Sequence, residues 1–383
     1  MLPRLIAHGY TVHMLVPRDD EVMQAMPGLV VHTFPNVLRI PGWLPAPVQR
    51  LWLLPAFWSV AGRAAVRLAR RLDPDLVMGF SHYGAWPAWR AGRACGAPSV
   101  LKLFGVMHAM RLEWPLPRYL YHSLEGVLAF KVPLDHFILL NDGTRGAEVA
   151  RRWGVEPERI TWLPNGIDLQ WARQPLQGAE RRRQHGVPDD AVVVLSLSRL
   201  VLSKRVDRIV EAMQLATRQT SKRLLLWVAG DGPLRRQLET QARQAGVEAT
   251  FLGTVGREEI PHLLDAADLL VSTSLLTNMS IPTCEAMVTG TPVVGLDVGG
   301  TPEVIRHEET GLLVDEDDAA GLAEAIRRLA EDDALRLRLG QQAQEFALGT
   351  FMDWDQRVGE EIRALDRLLE GNPDASPDVE KPA

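Results

Sequence analysis

The stretch Val192-Val193-Val194-Leu195-Ser196-Leu197-Ser198-Arg199-Leu200, with Lys204 close behind it, governs the reading of this chain. Its first six residues form a run too short for a core helix and too apolar for a strand with one wet face. Such a run belongs to a parallel sheet covered by helices on both sides. Working outward, the pattern repeats at Leu224 to Ala229, Ala249 to Leu252, Leu269 to Ser272, Pro292 to Gly295 and Gly311 to Val314. In the first half it appears at Thr11 to Val16, Val30 to Phe34, Leu76 to Phe80, Ser99 to Phe104, His136 to Leu140 and Ile160 to Leu163. Longer amphipathic segments separate these runs, so the fold class is α/β, with one sheet expected in each half.

With 383 residues the chain is long enough for two cores. The turn cluster Pro164-Asn165-Gly166-Ile167-Asp168 marks the boundary, giving domains at 1–165 and 166–352, a last helix at 353–370 and a disordered tail at 371–383. Leu2 to Gly9 reads as the end of a helix leading into a strand. A doubly wound domain opens with a strand and a glycine-rich turn, so the first strand is expected to be missing and the true start to lie upstream.

Composition narrows the function classes. The formal charge of -6 gives no basic field for a nucleic-acid backbone. Cys95 and Cys284 have neither metal-ligand nor redox spacing, and reduced thiols in a cytoplasmic protein are expected. The apolar stretch Leu51 to Val60 is too short to span a bilayer and is expected to be broken by Pro55. It continues into Arg63, Arg67, Arg70 and Arg71, a pattern that suits either a core helix with a basic outer face or peripheral attachment to an anionic inner membrane face. P-loop, zinc-hydrolase, C-x-x-C and dinucleotide fingerprints do not occur.

Two constellations remain that carry chemistry. Arg199 and Lys204 sit where a buried strand gives way to a helix N-terminus, and a forked guanidinium beside a point charge can hold a diphosphate. The bland alternative is a pair of solvated cations flanking a helix start. Further on, the polar loop Thr277-Asn278-Met279-Ser280-Ile281 leads into a helix carrying Glu285, with Asn278 and Ser280 as N-cap types. Glu285 could accept hydrogen bonds from ribose hydroxyls or simply face solvent. Ala229-Gly230-Asp231-Gly232-Pro233 reads mainly as structure, and the acidic run Asp315 to Asp318 as a turn rather than a metal site.

In this order, Pro164-Asn165-Gly166-Ile167-Asp168, Ser198-Arg199-Leu200 with Lys204, Ala229 to Pro233, Phe251-Leu252-Gly253 and Glu285-Ala286-Met287 resemble the retaining, sugar-nucleotide-dependent glycosyltransferases of family four. The resemblance implies the GT-B fold, two Rossmann-like domains facing across a cleft, and transfer from a UDP- or GDP-linked sugar to a glycan, lipid-linked or small-molecule acceptor. It implies that Arg199 and Lys204 bind the donor diphosphate, that Glu285 binds the ribose, and that backbone at Val255 and Gly256 holds the base. Thr277, Asn278, Met279, Ser280 and Ile281 would cover the donor sugar and phosphates. Neither a metal nor a cofactor is implied. Two positions depart from the family pattern: Thr277 replaces a glutamate, and Phe104 stands where many relatives have a histidine, a role that His108 or His82 would then have to fill. These departures, with the missing strand, motivate the alternative of a non-catalytic sugar-nucleotide binder or partner subunit.

Overall fold

The structure, a computed structural model, describes residues 2–18, 27–36, 46–106, 112–140, 145–275 and 279–370, with side chains for all of these except 46–52 and 147. The tail at 371–383 lies outside them. The chain divides into two units, 1–164 together with 355–383, and 165–354. The last helix, which the sequence suggested as a separate segment, therefore belongs with the first unit.

The first unit runs α1 (Leu2–Ala7), β1 (Val12–Pro17), β2 (Leu29–Phe34), α2 (Ala46–Leu72), β3 (Val77–Phe80), α3 (Ala85–Cys95), β4 (Ser99–Leu103), α4 (Leu116–Lys131), β5 (His136–Leu140), α5 (Gly146–Arg152) and β6 (Ile160–Leu163). In the second come α6 (Gly178–Gln184), β7 (Ala191–Leu197), α7 (Val206–Thr217), β8 (Arg223–Ala229), α8 (Arg235–Ala245), β9 (Ala249–Gly253), α9 (Ile260–Ala266) and β10 (Leu269–Ser272). It continues through α10 (Ile281–Thr289), β11 (Val293–Leu296), α11 (Thr301–Val304), β12 (Leu312–Val314), α12 (Ala319–Glu331) and α13 (Asp333–Thr350). Helix α14 (Trp354–Leu369) begins at the edge of this unit and returns to the first.

All twelve strands among the described residues fall within one residue of the bounds read from the sequence. Each pairs in parallel with its sheet neighbours. The second unit holds a single sheet in the order β12-β11-β10-β7-β8-β9. Its central strand β7 has Val193, Val194 and Leu195 fully buried between two helical layers, which is why so many consecutive apolar residues are needed there. In the first unit the expectation of one sheet fails. Among the described residues β1 and β2 form one sheet, and β3, β4, β5 and β6 form another. No strand pairing joins the two sheets among the described residues. Pro55 does not interrupt α2, which continues through it.

Helix α14 is held to the first unit by apolar and ionic contacts. Val358, Ile362 and Leu365 pack with Leu5, Val100, Ile138 and Leu163 in one cluster. Within it, Lys102 Nζ of β4 donates to both Glu361 oxygens at 2.8 and 2.7 Å. Arg357 pairs with the same carboxylate and donates through Nε to the Pro164 carbonyl at 3.1 Å. All three side chains are buried, so the group stands only because each charge faces another.

Candidate functional site

The strand order of the second unit locates a site before any side chain is considered. From β7 the chain moves to β8 and β9 on one side and then crosses to β10 on the other, so β7 and β10 flank the point where the winding reverses. In open parallel sheets the carboxyl ends of two such strands diverge and leave a crevice.

Both ends are tightly braced. After β7, Ser198 N donates to Ala229 O at 3.0 Å, and Leu200 N to Asp231 O at 2.9 Å. This approach requires Gly230 and Gly232: a Cβ at Gly230, whose φ is +130°, would lie 1.9 Å from Ser198 O, and one at Gly232 would lie 2.4 Å from Leu200 O. The glycine-rich run is thus structural, and what it shapes is the turn carrying Arg199. A 3-10 turn at Leu202–Lys204 follows, with Arg205 in the left-handed region before α7. On the β10 side, Thr273 Oγ1 donates to the carbonyls of Lys204 and Arg205, both at 2.9 Å, and Leu275 N donates to Ser203 O at 3.0 Å.

Lys204 Nζ bridges the reversal point by donating to Ser274 Oγ at 2.9 Å. Burial, and then the nearby Arg199 cation, push the Lys204 ammonium below its ordinary range. Two cations that repel one another at a braced turn gain most when an anion joins them. Arg199 itself is exposed.

Glu285 lies on α10 with its side chain 2% exposed. This removes the solvent-facing alternative. Arg257 Nη2 sits 3.0 Å from Glu285 Oε1, yet Oε1 has no aligned hydrogen-bond donor. Burial raises the Glu285 carboxyl to about 7 against the opposing pull of Arg257. Arg257 also donates through Nε to Asp168 Oδ2 at 3.0 Å, and its guanidinium lies 5.2 Å from the Trp171 ring. The sequence reading missed this trio: Asp168 stood only as part of a turn, and no spacing links Arg257 to residues so distant along the chain.

Arg257 follows Val255, which is half-buried against the apolar core, and Gly256, which is exposed. The β9–α9 turn therefore reaches Glu285 through Arg257. Of the loop expected to cover a donor, Thr277 and Asn278 lie outside the described residues, as does His108 in the first unit. The Met279 side chain is buried in the apolar core. Ser280 occupies the N-cap position of α10 without a side-chain capping bond, and Ile281 begins the helix. Phe104 is 51% exposed and stacks with Phe80 at 6.3 Å. His82 follows β3, with burial pushing its imidazole below the ordinary range. Among the described residues no three His, Cys, Asp or Glu side chains converge as a metal site. No described helix is long and apolar enough to cross a membrane.

Two Rossmann-like units, one with a braced cation pair at its winding reversal and a buried carboxylate within the same sheet's helical layer, have the architecture of the GT-B fold. The chain belongs to the glycosyltransferases: residues 1–171 match the Glycosyltransferase Family 4 model, and residues 178–346 match the model for Glycosyl transferases group 1. A D-inositol 3-phosphate glycosyltransferase of a Nocardioides strain is 31% identical over 55% of this chain and 49% of its own length. The chain thus spans about half the length of the first curated relatives it matches. Glycogen synthase of Mycobacterium tuberculosis is 28% identical over 78% of this chain and 72% of its own. The Anabaena protein HepE, solved in complex with UDP, superposes with a TM-score of 0.69 at 22% identity, covering 88% of this chain and 86% of that one.

Proposed function

We propose that the chain transfers a sugar from a UDP- or GDP-linked donor to a glycan, lipid-linked or small-molecule acceptor, with retention and without a metal. The observation that carries the reading is Glu285 Oε1, a buried carboxylate oxygen without an aligned donor in the unit that holds Arg199 and Lys204. A ribose hydroxyl supplies the missing donor, and the diphosphate supplies the anion that the repelling cations lack. In this reading Arg199 and Lys204 stabilise the charge that gathers on the departing nucleotide diphosphate. Backbone at Val255 and Gly256 faces the base, and the segment Thr277 to Ile281 covers the sugar. The acceptor hydroxyl attacks from the face the nucleotide leaves, and the leaving phosphate oxygen takes its proton. The complexes of HepE with UDP and with UDP-glucose support a nucleotide-sugar donor.

A thermal-shift panel of UDP, GDP, ADP and CDP with matching sugar nucleotides tests this. Ligand at about a hundred times its dissociation constant stabilises by about 2.7 kcal/mol, and the shift is expected to vanish in Arg199→Ala/Lys204→Ala. An equal shift in that variant would remove the pair from the site. Binding without transfer or hydrolysis of the donor would establish the non-catalytic alternative, which the exposed Phe104 favours.

A further inference from the structure

Charge is segregated along this chain. Between Glu21 and Glu113 there are ten Lys and Arg but only two acids, Asp73 and Asp75, in a protein whose formal net charge is -6. The structure gathers much of that excess on one surface. On α2, Arg63, Arg67, Arg70 and Arg71 are all exposed and recur at helical spacing along one stripe. Leu54, Ala61 and Ala69 are buried on the other side of the helix. Helix α3 lies alongside, with Trp58 stacked on Trp86 at 5.8 Å and Gly62 so close that a Cβ placed on it would lie 3.7 Å from the Trp86 ring. It adds the exposed Arg90 and Arg93.

None of these six arginines has an acidic partner among the described residues. Elsewhere in the chain paired arginines are the rule: Arg182 meets Asp268 at 2.9 Å, Arg223 meets Glu248 at 2.7 Å and Arg328 meets Glu308 at 2.7 Å. Arg71 instead lies 3.3 Å from His32 Nδ1. Arg63 and Arg67, and Arg67 and Arg71, are like charges four residues apart on a helix, an arrangement that weakens the helix in water and is relieved by nearby anions. The exposed stripe continues toward the helix start through Pro55, Ala56 and Ser59, small residues without charge.

We infer that this face of α2 and α3 docks on an anionic lipid bilayer. Charge complementarity selects an anionic partner, and an amphipathic helix lying along the surface gives each arginine a phosphate while its uncharged start meets the apolar boundary below the headgroups. Nucleic acid fits less well, because among the described residues the stripe offers no exposed aromatic side chain for base stacking and the rest of the molecule is acidic. The inference goes beyond the transfer reaction and does not depend on it.

The test is co-sedimentation of the full chain with phosphatidylcholine vesicles and with vesicles that also contain phosphatidylglycerol. Binding to the anionic vesicles is expected to be at least tenfold tighter and to fall as salt is raised. The variant Arg63→Gln/Arg67→Gln/Arg70→Gln/Arg71→Gln is expected to lose it. The corresponding fourfold Arg→Lys variant keeps it, as does Arg183→Gln/Arg218→Gln/Arg223→Gln/Arg243→Gln, which removes the same charge from the other unit. Nucleotide-induced thermal shifts, unchanged in the α2 variant, would show that it is folded and separate this result from the donor reading. Equal loss in both glutamine variants, no preference for anionic vesicles by the folded chain, or tighter capture of the stripe by DNA than by vesicles would each overturn the inference.

Discussion

Replacing Glu285 by glutamine separates the cost of this residue to the fold from its value to the ligand. Its carboxyl is raised from 4.5 to about 7. The unfolded chain ionises first, so the stability linked to this group is full below 4.5 and is lost as pH rises through about 7. At pH 8 both states are ionised and the buried charge destabilises the fold by roughly 3 kcal/mol. Glu285→Gln removes that charge and leaves Arg257 paired with Asp168. Without ligand, the variant should be more stable at pH 8, raising the melting transition of a unit this size by roughly 6–12 °C. The gap should close toward pH 5. Nucleotide affinity should meanwhile fall by about 10- to 100-fold, the worth of a hydrogen bond to a charged group. Calorimetry across pH 5 to 8 with and without nucleotide measures both effects. A variant less stable than the parent at pH 8 would refute the argument, because the Arg257 contact would then outweigh burial. Unchanged affinity would remove Glu285 from the ligand.

Three further outcomes follow from the same geometry. Lys204→Ala should lower turnover by on the order of a hundredfold, equivalent to losing about 2.7 kcal/mol of transition-state stabilisation, in a steady-state donor assay. Gly230→Ala places a methyl group against the Ser198 carbonyl at a backbone angle that alanine rarely adopts; denaturant titration should show a loss of about 3 kcal/mol or more, with nucleotide shifts lost in what remains folded. Glu361→Gln leaves Lys102 and Arg357 buried as two like charges without the carboxylate they share, so unfolding of the first unit should become easier by about 3–5 kcal/mol and amide exchange in α14 faster. Adding Lys102→Met, which removes one of the two repelling cations, should recover part of that loss.

The sequence alone determined the α/β class, the twelve strands and the order of the donor-side motifs. These rest on short-range physics: a strand buried on both faces must be continuously apolar, and a turn that meets a neighbouring carbonyl must be glycine. Arg199, Lys204 and Glu285 were visible because each stands at a fixed distance from such an element. Only the tertiary structure decided which distant residues meet. The bridge from Lys204 to Ser274 exists because β10 returns to the opposite side of β7. Arg257, Asp168 and Glu285 converge from a turn, a linker and a helix. Tertiary structure also split the first sheet, carried α14 back to the first unit and left the α2 arginines without acids among the described residues. Pairing of charges and closure of sheets depend on where elements lie in space, and no local pattern in the chain encodes that placement.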